Sequence, residues 1–212
     1  MRPSGATSLC AIQTTGGSVS GGGLYKYNSI VTISAKSKLG YTWLGWYDEK
    51  HNRISTDQSY SFTVEDADIT LYGKWEISND ISDFKFTSTE TTCVITDVID
   101  DSKSTYYIPK YVTSIDDWAF FMCDEFTDIT IPEGVTSIGD QAFSGCRKLK
   151  HVHIPKSVTS IGTSAFSGCT NLTSIGYSGD LSDWGAISLG NQWNFMVPAT
   201  NIICNNGKVI LN

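Results

Sequence analysis

The sequence lacks several features that would assign a function at once. It contains no run of about 18 apolar residues, the length that a membrane-spanning helix needs. It also contains no basic patch, because its 15 Lys and Arg residues are scattered among 22 Asp and Glu, and the net charge is −7. Nucleic-acid phosphates are bound by concentrated basic surfaces. The composition therefore argues against a nucleic-acid partner and against insertion into a membrane.

Signatures of catalysis are also missing. The motifs GxSxG, HExxH and the P-loop do not occur. The glycines of Gly16-Gly17 and Gly21–Gly23 precede no helix that could hold a phosphate, so we interpret them as flexible turns between strands. We predict a protein that is not an enzyme and that needs no cofactor. Met1 to Leu9 has no charged-then-apolar pattern, so any export signal is expected outside this sequence.

The cysteines give the first sign of a repeat. No CxxC pair and no Cys/His metal spacing is present, which disfavours a structural metal site. Three of the six cysteines, Cys123, Cys146 and Cys169, are 23 residues apart. We interpret them as buried thiols that pack as small apolar groups, with disulfides or metal ligation as the alternatives.

Three consecutive windows align at this spacing, residues 108–130, 131–153 and 154–176. They share Ile, Pro, Val, Thr, Ser, Ile, Ala, Phe and Cys in nine identical columns. A period of about 20–29 residues is typical of leucine-rich-repeat coils, whose neighbours stack to share one core. Alternation predicts that Val152 and Ile154 point inward on a strand, which a proline then ends. The Val-Thr-Ser-Ile segment is expected to be extended, and the Ala-Phe-Cys segment to return through a short helix.

The repeated I-P-x-x-V-T-S-I-G-x-x-A-F-S-G-C-x-x-L resembles the BspA-like leucine-rich repeats of bacterial and protist surface proteins. The resemblance covers residues 84–212. It implies a β-hairpin cap at residues 84–107 and an atypical final repeat beginning at Tyr177.

Before residue 84 the repeat is absent, and alternating strands separated by turn signals are expected over residues 9–76. The Gly-Tyr-x-Trp-x-Gly-Trp-Tyr and Gly-Lys-Trp segments are similar to the divergent internalin-B-type bacterial repeat. That resemblance implies a compact extracellular β unit. The whole sequence thus predicts a mainly β protein: a small β-grasp-like or all-β module, followed by a short leucine-rich-repeat solenoid with short helical returns. The expected divisions are residues 1–78 for the module, 79–107 for the linker and cap, 108–176 for the repeats and 177–212 for the C-terminal cap.

The aromatic residues of the first module allow two interpretations. Flat rings with polar tips suit sugar stacking, but a domain of this size also needs bulky core residues, and we favour the core. Strict alternation would place Trp43 and Trp46 on opposite faces of their strand. The aromatic residues concerned are Tyr41, Trp43, Trp46, Tyr47 and Trp75. A second ambiguous group, Asp97, Asp100 and Asp101, lacks calcium-loop spacing and is interpreted as a solvated turn.

Two surfaces are candidates for binding. The first is the exposed face of the repeat strands, which would display Asp128 and Thr130, His151 and His153, and Ser174 and Gly176. A metal site of His151, His153 and Asp128 is a weaker alternative for that face. The second candidate is Trp118, Phe121 and Met122, which replace small polar residues of the later repeats. We expect these three to be covered by neighbouring structure, with an exposed contact patch as the alternative.

The favoured function is recognition outside the cell, by a secreted or surface-displayed module that binds a protein or glycan ligand without catalysis. The chain is expected to be a monomer. One alternative is a structural spacer within a longer surface protein. Another is an accessory segment of a secreted hydrolase.

Overall fold

The computed structural model describes residues 6–65 and 67–211, so the first five residues of the N-terminal stretch lie outside it. The chain separates into two compact units. The first contains residues 1–78 and 89–91, and the second contains residues 79–88 and 92–212. Each unit has its own strands and core, and each is described by itself below.

Eight strands build the first unit: β1 (Ala6–Gln13), β2 (Gly17–Ser20), β3 (Gly23–Lys26), β4 (Ile30–Ser37), β5 (Tyr41–Tyr47), β6 (Arg53–Ser55), β7 (Ser59–Thr63) and β8 (Ile69–Ile77). They form a five-stranded sheet in the order β3-β1-β8-β5-β6 and a three-stranded sheet in the order β2-β4-β7. The first and last strands pair in parallel, and the other pairings are antiparallel. No helix occurs among the described residues of this unit, so the expected all-β module is confirmed.

The core of the first unit lies between apolar side chains that alternate along the strands. In β4, for example, Val31 and Ile33 are buried while Thr32 between them is exposed. The buried set is Leu9, Val31, Ile33, Ala35, Trp46, Val64 and Leu71. Partly buried aromatic rings, including Trp43 and Trp75, pack against it.

A β-bulge corrects the expected orientation of the tryptophans. The register of β5 against β8 shifts between Trp43 and Gly45, and Gly45 has a φ of +131°. A bulge inserts one extra residue and thereby resets the alternation of side chains. The rings of Trp43 and Trp46 therefore contact each other, with centroids 5.3 Å apart, and the prediction that they occupy opposite faces is wrong.

The glycines of the N-terminal segment do more than form turns. Gly17 and Gly23, which were expected to lie in turns, are the first residues of β2 and β3. A Cβ atom on Gly17 would lie 2.3 Å from Cζ2 of Trp75, and one on Gly16 would lie 2.3 Å from Cβ of Trp75. These glycines are required because the Trp75 side chain packs directly on the backbone.

The second unit begins with a short 3-10 helix at Asn79–Ile81 and contains strands β9–β19 and one α-helix. The strands are β9 (Phe84–Ser88), β10 (Cys93–Val98), β11 (Ser114–Ile115), β12 (Asp128–Thr130), β13 (Ser137–Ile138), β14 (His151–Ile154), β15 (Ser160–Ile161), β16 (Ser174–Tyr177), β17 (Ser188–Leu189), β18 (Asn201–Cys204) and β19 (Gly207–Ile210). The helix, α1, covers Leu181–Trp184.

Successive coils stack in register along two parallel ladders. One sheet has the order β17-β15-β13-β11-β10-β9 and the other the order β12-β14-β16-β18-β19. Val152 pairs with Ile129 on one side and Ile175 on the other, so identical columns align from coil to coil. Val152 and Ile154 are buried between exposed His151 and His153, which confirms the predicted inward orientation of this strand.

The return of each coil is the segment between the Val-Thr-Ser-Ile strand and the cysteine. It is not helical. In the first return, Trp118 and Met122 have φ values of +64° and +57°, which interrupt any right-handed helix. The N–H groups of Trp118, Phe120 and Met122 instead donate to carbonyls of the next return. The residues between them donate back within their own turn. The predicted helical return is therefore wrong, because the backbone donors are used to join one coil to the next.

A column of phenylalanines fills the centre of the solenoid. The rings of Phe120, Phe143 and Phe166 stack with centroids 4.8 Å and 5.1 Å apart, close to the spacing of neighbouring strands. Phe84 of the N-terminal hairpin contacts Phe120 edge to face, at 5.8 Å. Trp193 contacts Phe166 in the same way at the other end, at 6.2 Å. The column thus ends against a perpendicular ring on both sides.

The segment after Tyr177 forms a fourth, longer coil. Ser160 pairs with Ser188, which is 28 residues further on (188 − 160), and Ile175 pairs with Ile202. Helix α1 occupies the extra length, and the side chains of Asp180 and Asp183 form a capping box at its start. The β18–β19 hairpin then ends the second sheet, as the β9–β10 hairpin begins the first.

Candidate functional site

The strand-face surface comprises the five predicted residues Asp128, Thr130, His151, His153 and Ser174. The parallel register aligns Asp128, His151 and Ser174 in one column, and Thr130 and His153 in the next. Four of the five residues are exposed, whereas Ser174 is half-buried. The ladder therefore brings these side chains together on one face, as the sequence suggested.

The two histidines of this surface have different partners. Nε2 of His151 lies 4.0 Å from Oδ1 of Asp128, an exposed pair of the kind that contributes at most about 1 kcal/mol. The His153 ring reaches over Gly176 to Ser178, with Nε2 2.8 Å from Oγ. Among residues 6–65 and 67–211, no cluster of three or more His, Cys, Asp or Glu side chains could hold a metal ion.

The fourth coil adds residues to the strand face that sequence reasoning missed. Ile175 and Gly176 pair with Ile202 and Ile203, so Ile203 continues the column of Thr130 and His153. Its side chain is 50% exposed. The longer final period hid this column, because alignment at 23 residues does not reach it.

Trp118, Phe121 and Met122, here called the N-terminal apolar patch, are exposed to 49%, 36% and 55%. The Trp118 and Phe121 rings contact edge to face, with centroids 4.8 Å apart. The expectation that the cap of the solenoid would cover these side chains is wrong. The hairpin cap sends Phe84 inward against Phe120, and it leaves the outward side of the return uncovered.

The backbone under this patch has an unusual conformation. Trp118 and Met122 lie in the left-handed region, as do their counterparts in every coil. In the second and third coils the counterparts of Met122 are Gly145 and Gly168, which adopt φ values of +76° and +74° without a steric penalty. A large residue there costs about 1 kcal/mol or more in strain. The fourth coil repeats the feature, since Met196 has a φ of +59° and is 63% exposed beside exposed Phe195.

The cysteine column is buried, as predicted. The Sγ atoms of Cys146 and Cys169 lie 3.0 Å and 3.1 Å from the carbonyl oxygens of Phe120 and Phe143, so each thiol donates to the preceding coil. All six cysteines of the sequence are free thiols in the structure, and Cys10 is exposed. Burial raises the pKa of Cys93 to about 11 and that of Cys123 to about 12. The neighbouring Cys169 thiol, followed by burial, raises the pKa of Cys146.

We expect only Cys10 to react rapidly with a disulfide reagent at pH 8. The other thiols are buried, and the raised pKa values of Cys93, Cys123, Cys146 and Cys204 keep them protonated at that pH. Titration with Ellman's reagent should show one fast thiol in the native protein and six after denaturation. Cys10→Ser should abolish the fast phase. A fast phase that persists in this variant would show that a buried thiol is accessible.

The aromatic residues of the first unit belong mainly to its core. Trp46 is fully buried, and its Nε1 has no hydrogen-bond partner among the described residues. The Trp43 and Trp75 rings contact at 4.8 Å, and their Nε1 groups donate to Thr56 O and Ser37 Oγ. This packing supports the core interpretation over sugar stacking.

In the acidic stretch at residues 97–101, the carboxylates of Asp97 and Asp100 interact with nearby residues of the chain. Asp97 pairs with Lys85 at 2.6 Å. Hydrogen bonds from the Ser102 side chain and backbone lower the pKa of Asp100. Asp100 and Asp101 lie in the solvated turn that the sequence predicted, whereas Asp97 lies in strand β10, so the prediction is wrong for that residue.

The geometry defines a class of protein: a β module joined to a solenoid of stacked leucine-rich-repeat coils. Comparison with known families shows what each unit resembles. Residues 100–195 match the BspA type leucine-rich repeat region, whose description specifies six copies, and residues 7–79 match the divergent InlB B-repeat domain. The two matches fall mainly on different units, the divergent InlB B-repeat model on the first and the BspA-type model on the second.

Solved structures include similar chains from two bacteria. A leucine-rich repeat protein of T. pallidum is 19% identical with a TM-score of 0.45, over 57% of this chain and 68% of that chain. A leucine-rich cell surface protein of Faecalibacterium prausnitzii A2-165 is 28% identical with a TM-score of 0.34, over 51% of this chain and 41% of that one. A search of curated proteins finds no match.

Domains of these two families are generally protein-interaction or structural modules and are typically non-catalytic. Leucine-rich repeat domains in particular generally mediate protein–protein interaction. Within the described part of the chain, no helix has the length and apolar character needed to cross a membrane.

Proposed function

We propose that this chain is an extracellular or cell-surface recognition module that binds a protein partner without catalysis. The observation that carries the proposal is the N-terminal apolar patch. Aromatic residues and methionine are enriched at protein interfaces, and truncation of a central Trp commonly costs 2 kcal/mol or more, about 30-fold in affinity. We also propose that the chain is a monomer. Its proposed divisions remain residues 1–78, 79–107, 108–176 and 177–212.

The conformation of the patch supports this role. Met122 is held in the left-handed region although two sibling coils place glycine there. A residue that both strains the backbone and exposes an apolar side chain is a candidate contact site. A partner that covers Trp118, Phe121 and Met122 would account for both features. The strand-face surface, with Asp128, His151 and His153, is the second contact region in this proposal.

The test exchanges the patch for residues that the protein itself uses. The variant Trp118→Gln/Phe121→Ser/Met122→Gly reproduces the corresponding residues of the second coil, Gln141, Ser144 and Gly145. Purified protein would be screened by biolayer interferometry against extracellular matrix proteins and mucins, up to about 100 μM. We expect a saturable partner to lose about 30-fold or more in affinity for the variant.

The variant Asp128→Ala/His151→Ala/His153→Ala tests the second contact region separately, because it alters the strand face alone. If the patch variant still binds the partner and the strand-face variant does not, the binding site would lie on the strand face. If neither the natural protein nor any variant binds, the chain is better described as a spacer.

The single variant Met122→Gly should raise the free energy of unfolding by about 1 kcal/mol, because glycine relieves the left-handed strain. Urea unfolding measures this gain. Gly145→Met should lower it by a similar amount, since it places the strained residue in the second coil. A loss of stability in Met122→Gly would show that the Met122 side chain packs favourably in the free protein.

A further inference from the structure

The first unit contains an open groove of about 560 Å³ that the proposed function does not use. It lies between the turn that connects β5 to β6, strand β7, the loop after β7 and the start of β8. Its apolar surface includes Tyr60, Phe62 and Ile69, and the Tyr60 and Phe62 rings stack with centroids 5.4 Å apart. We call this feature the β7–β8 groove.

Strand backbone borders the groove. The pairing between β5 and β8 ends at the Tyr47–Tyr72 pair, because the chain then turns towards β6. Residues 69–71 consequently pair with β1 alone, and the strand position on their other side is not filled by β5. Strand β7 is likewise an edge, since it pairs with β4 and ends the three-stranded sheet. Such an edge can accept an extended segment by main-chain hydrogen bonds.

The charges around the groove select the kind of segment. Among the described residues that line it, four carry a carboxylate and one, Lys50, carries a positive charge, which leaves three net negative charges (4 − 1). The carboxylates of Asp48 and Asp68 accept backbone N–H groups, which fixes their positions. Those of Glu49 and Glu65 belong to exposed residues at the mouth. A Lys or Arg side chain could lay its stem on the Tyr60 and Phe62 rings while its charge reaches these carboxylates.

We propose that the β7–β8 groove binds an extended basic segment of a partner protein, which adds as a strand beside residues 69–71. Alternate side chains of such a segment point to the same side. A segment of alternating Lys and aliphatic residues would therefore present its Lys side chains to the Tyr60 and Phe62 rings and its aliphatic side chains outward. Charge complementarity selects the partner, and the open strand position selects its extended conformation.

The probe is a fluorescein-labelled peptide of about nine residues that alternates Lys and Val, titrated against the whole chain at low salt by fluorescence anisotropy. We expect saturable binding below about 1 mM. Glu49→Gln/Glu65→Gln should weaken binding about tenfold. The matched control, Asp57→Asn/Glu76→Gln, removes two exposed carboxylates outside the groove lining and should change binding less than about twofold.

A second pair of probes tests the strand geometry. A peptide with the same charges but alternate backbone amides N-methylated should bind about tenfold more weakly, because it cannot complete the ladder. The amide chemical shifts of Ile69, Thr70 and Leu71 should move with the unmodified peptide. Equal binding of the two peptides would overturn the proposal in favour of diffuse cation binding. The same conclusion would follow if spermine displaced the unmodified peptide and the amide shifts of residues 69–71 did not move when that peptide bound. The proposal would also be overturned if the control variant weakened peptide binding as much as the groove variant does, or if the peptide did not bind at all.

Discussion

Phe143→Ala should lower the free energy of unfolding of the solenoid by about 3–5 kcal/mol. Phe143 is fully buried, and its ring stacks on Phe120 at 4.8 Å and on Phe166 at 5.1 Å. The variant opens a cavity in the middle of the column, and the rings on either side cannot close it because the coils are held apart by both ladders. Urea unfolding monitored by circular dichroism measures the change.

The matched control for this variant is Phe195→Ala, the same substitution on the outward side of a return. Phe195 is 53% exposed, so its loss should change the free energy of unfolding by about 0.5 kcal/mol or less. Equal losses in the two variants would contradict the assignment of the phenylalanine column as the structural centre of the repeats.

Gly162→Ala should destabilise the solenoid by about 3 kcal/mol, the upper end for an overpacked site. A Cβ atom at Gly162 would lie 2.5 Å from the backbone N of Asp140 and 2.5 Å from its Oδ1. That Oδ1 accepts the N–H of Thr163 at 2.6 Å, so the clash also disrupts a bond between coils. Two of the three nearest atoms, Asp140 N and Gly139 C, belong to the backbone, and they can move only if the two coils separate. Thermal unfolding should show a markedly lower midpoint.

The first coil supplies the control for this substitution. Asp116 occupies the column of Gly139 and Gly162, and it is tolerated because a hairpin, not a return, precedes the first coil. Asp116→Ala should therefore change the free energy of unfolding by less than about 0.5 kcal/mol. A large loss in this variant would show that the column is sensitive for reasons other than crowding.

Much of the solenoid could be predicted because its physical constraints recur. The 23-residue spacing of Cys123, Cys146 and Cys169 fixed which residues would stack, and the alternation around Val152 fixed which would face inward. The return was mispredicted because helical hydrogen bonding was assumed for the Ala-Phe segment. Its donors in fact reach the next coil, which depends on stacking and leaves no local pattern.

The errors in the first unit and at the candidate site have a similar origin. The contact between Trp43 and Trp46 depends on a bulge, and a bulge follows from pairing between distant strands. The exposure of Trp118 could not be predicted from its apolar character, which indicates burial for most residues of that type. The β7–β8 groove depends on where the pairing of β5 ends, for which the sequence carries no evident signal.

The hydrogen bonding of the returns gives this side of the solenoid a direction along the stack of coils. The N–H groups of residues such as Phe120 point towards the following coil, and those of Phe143 and Phe166 do the same. In a trans peptide the carbonyl points the opposite way, so the amide dipoles of successive returns add, as they do along a helix. Within the stack of returns, the N-terminal side therefore carries partial negative charge and the C-terminal side partial positive charge, whereas strand donors such as those of Thr136 and Gly139 point to the preceding coil. A segment that packs on the first or last return encounters a polarity set by the backbone, whatever side chains surround it.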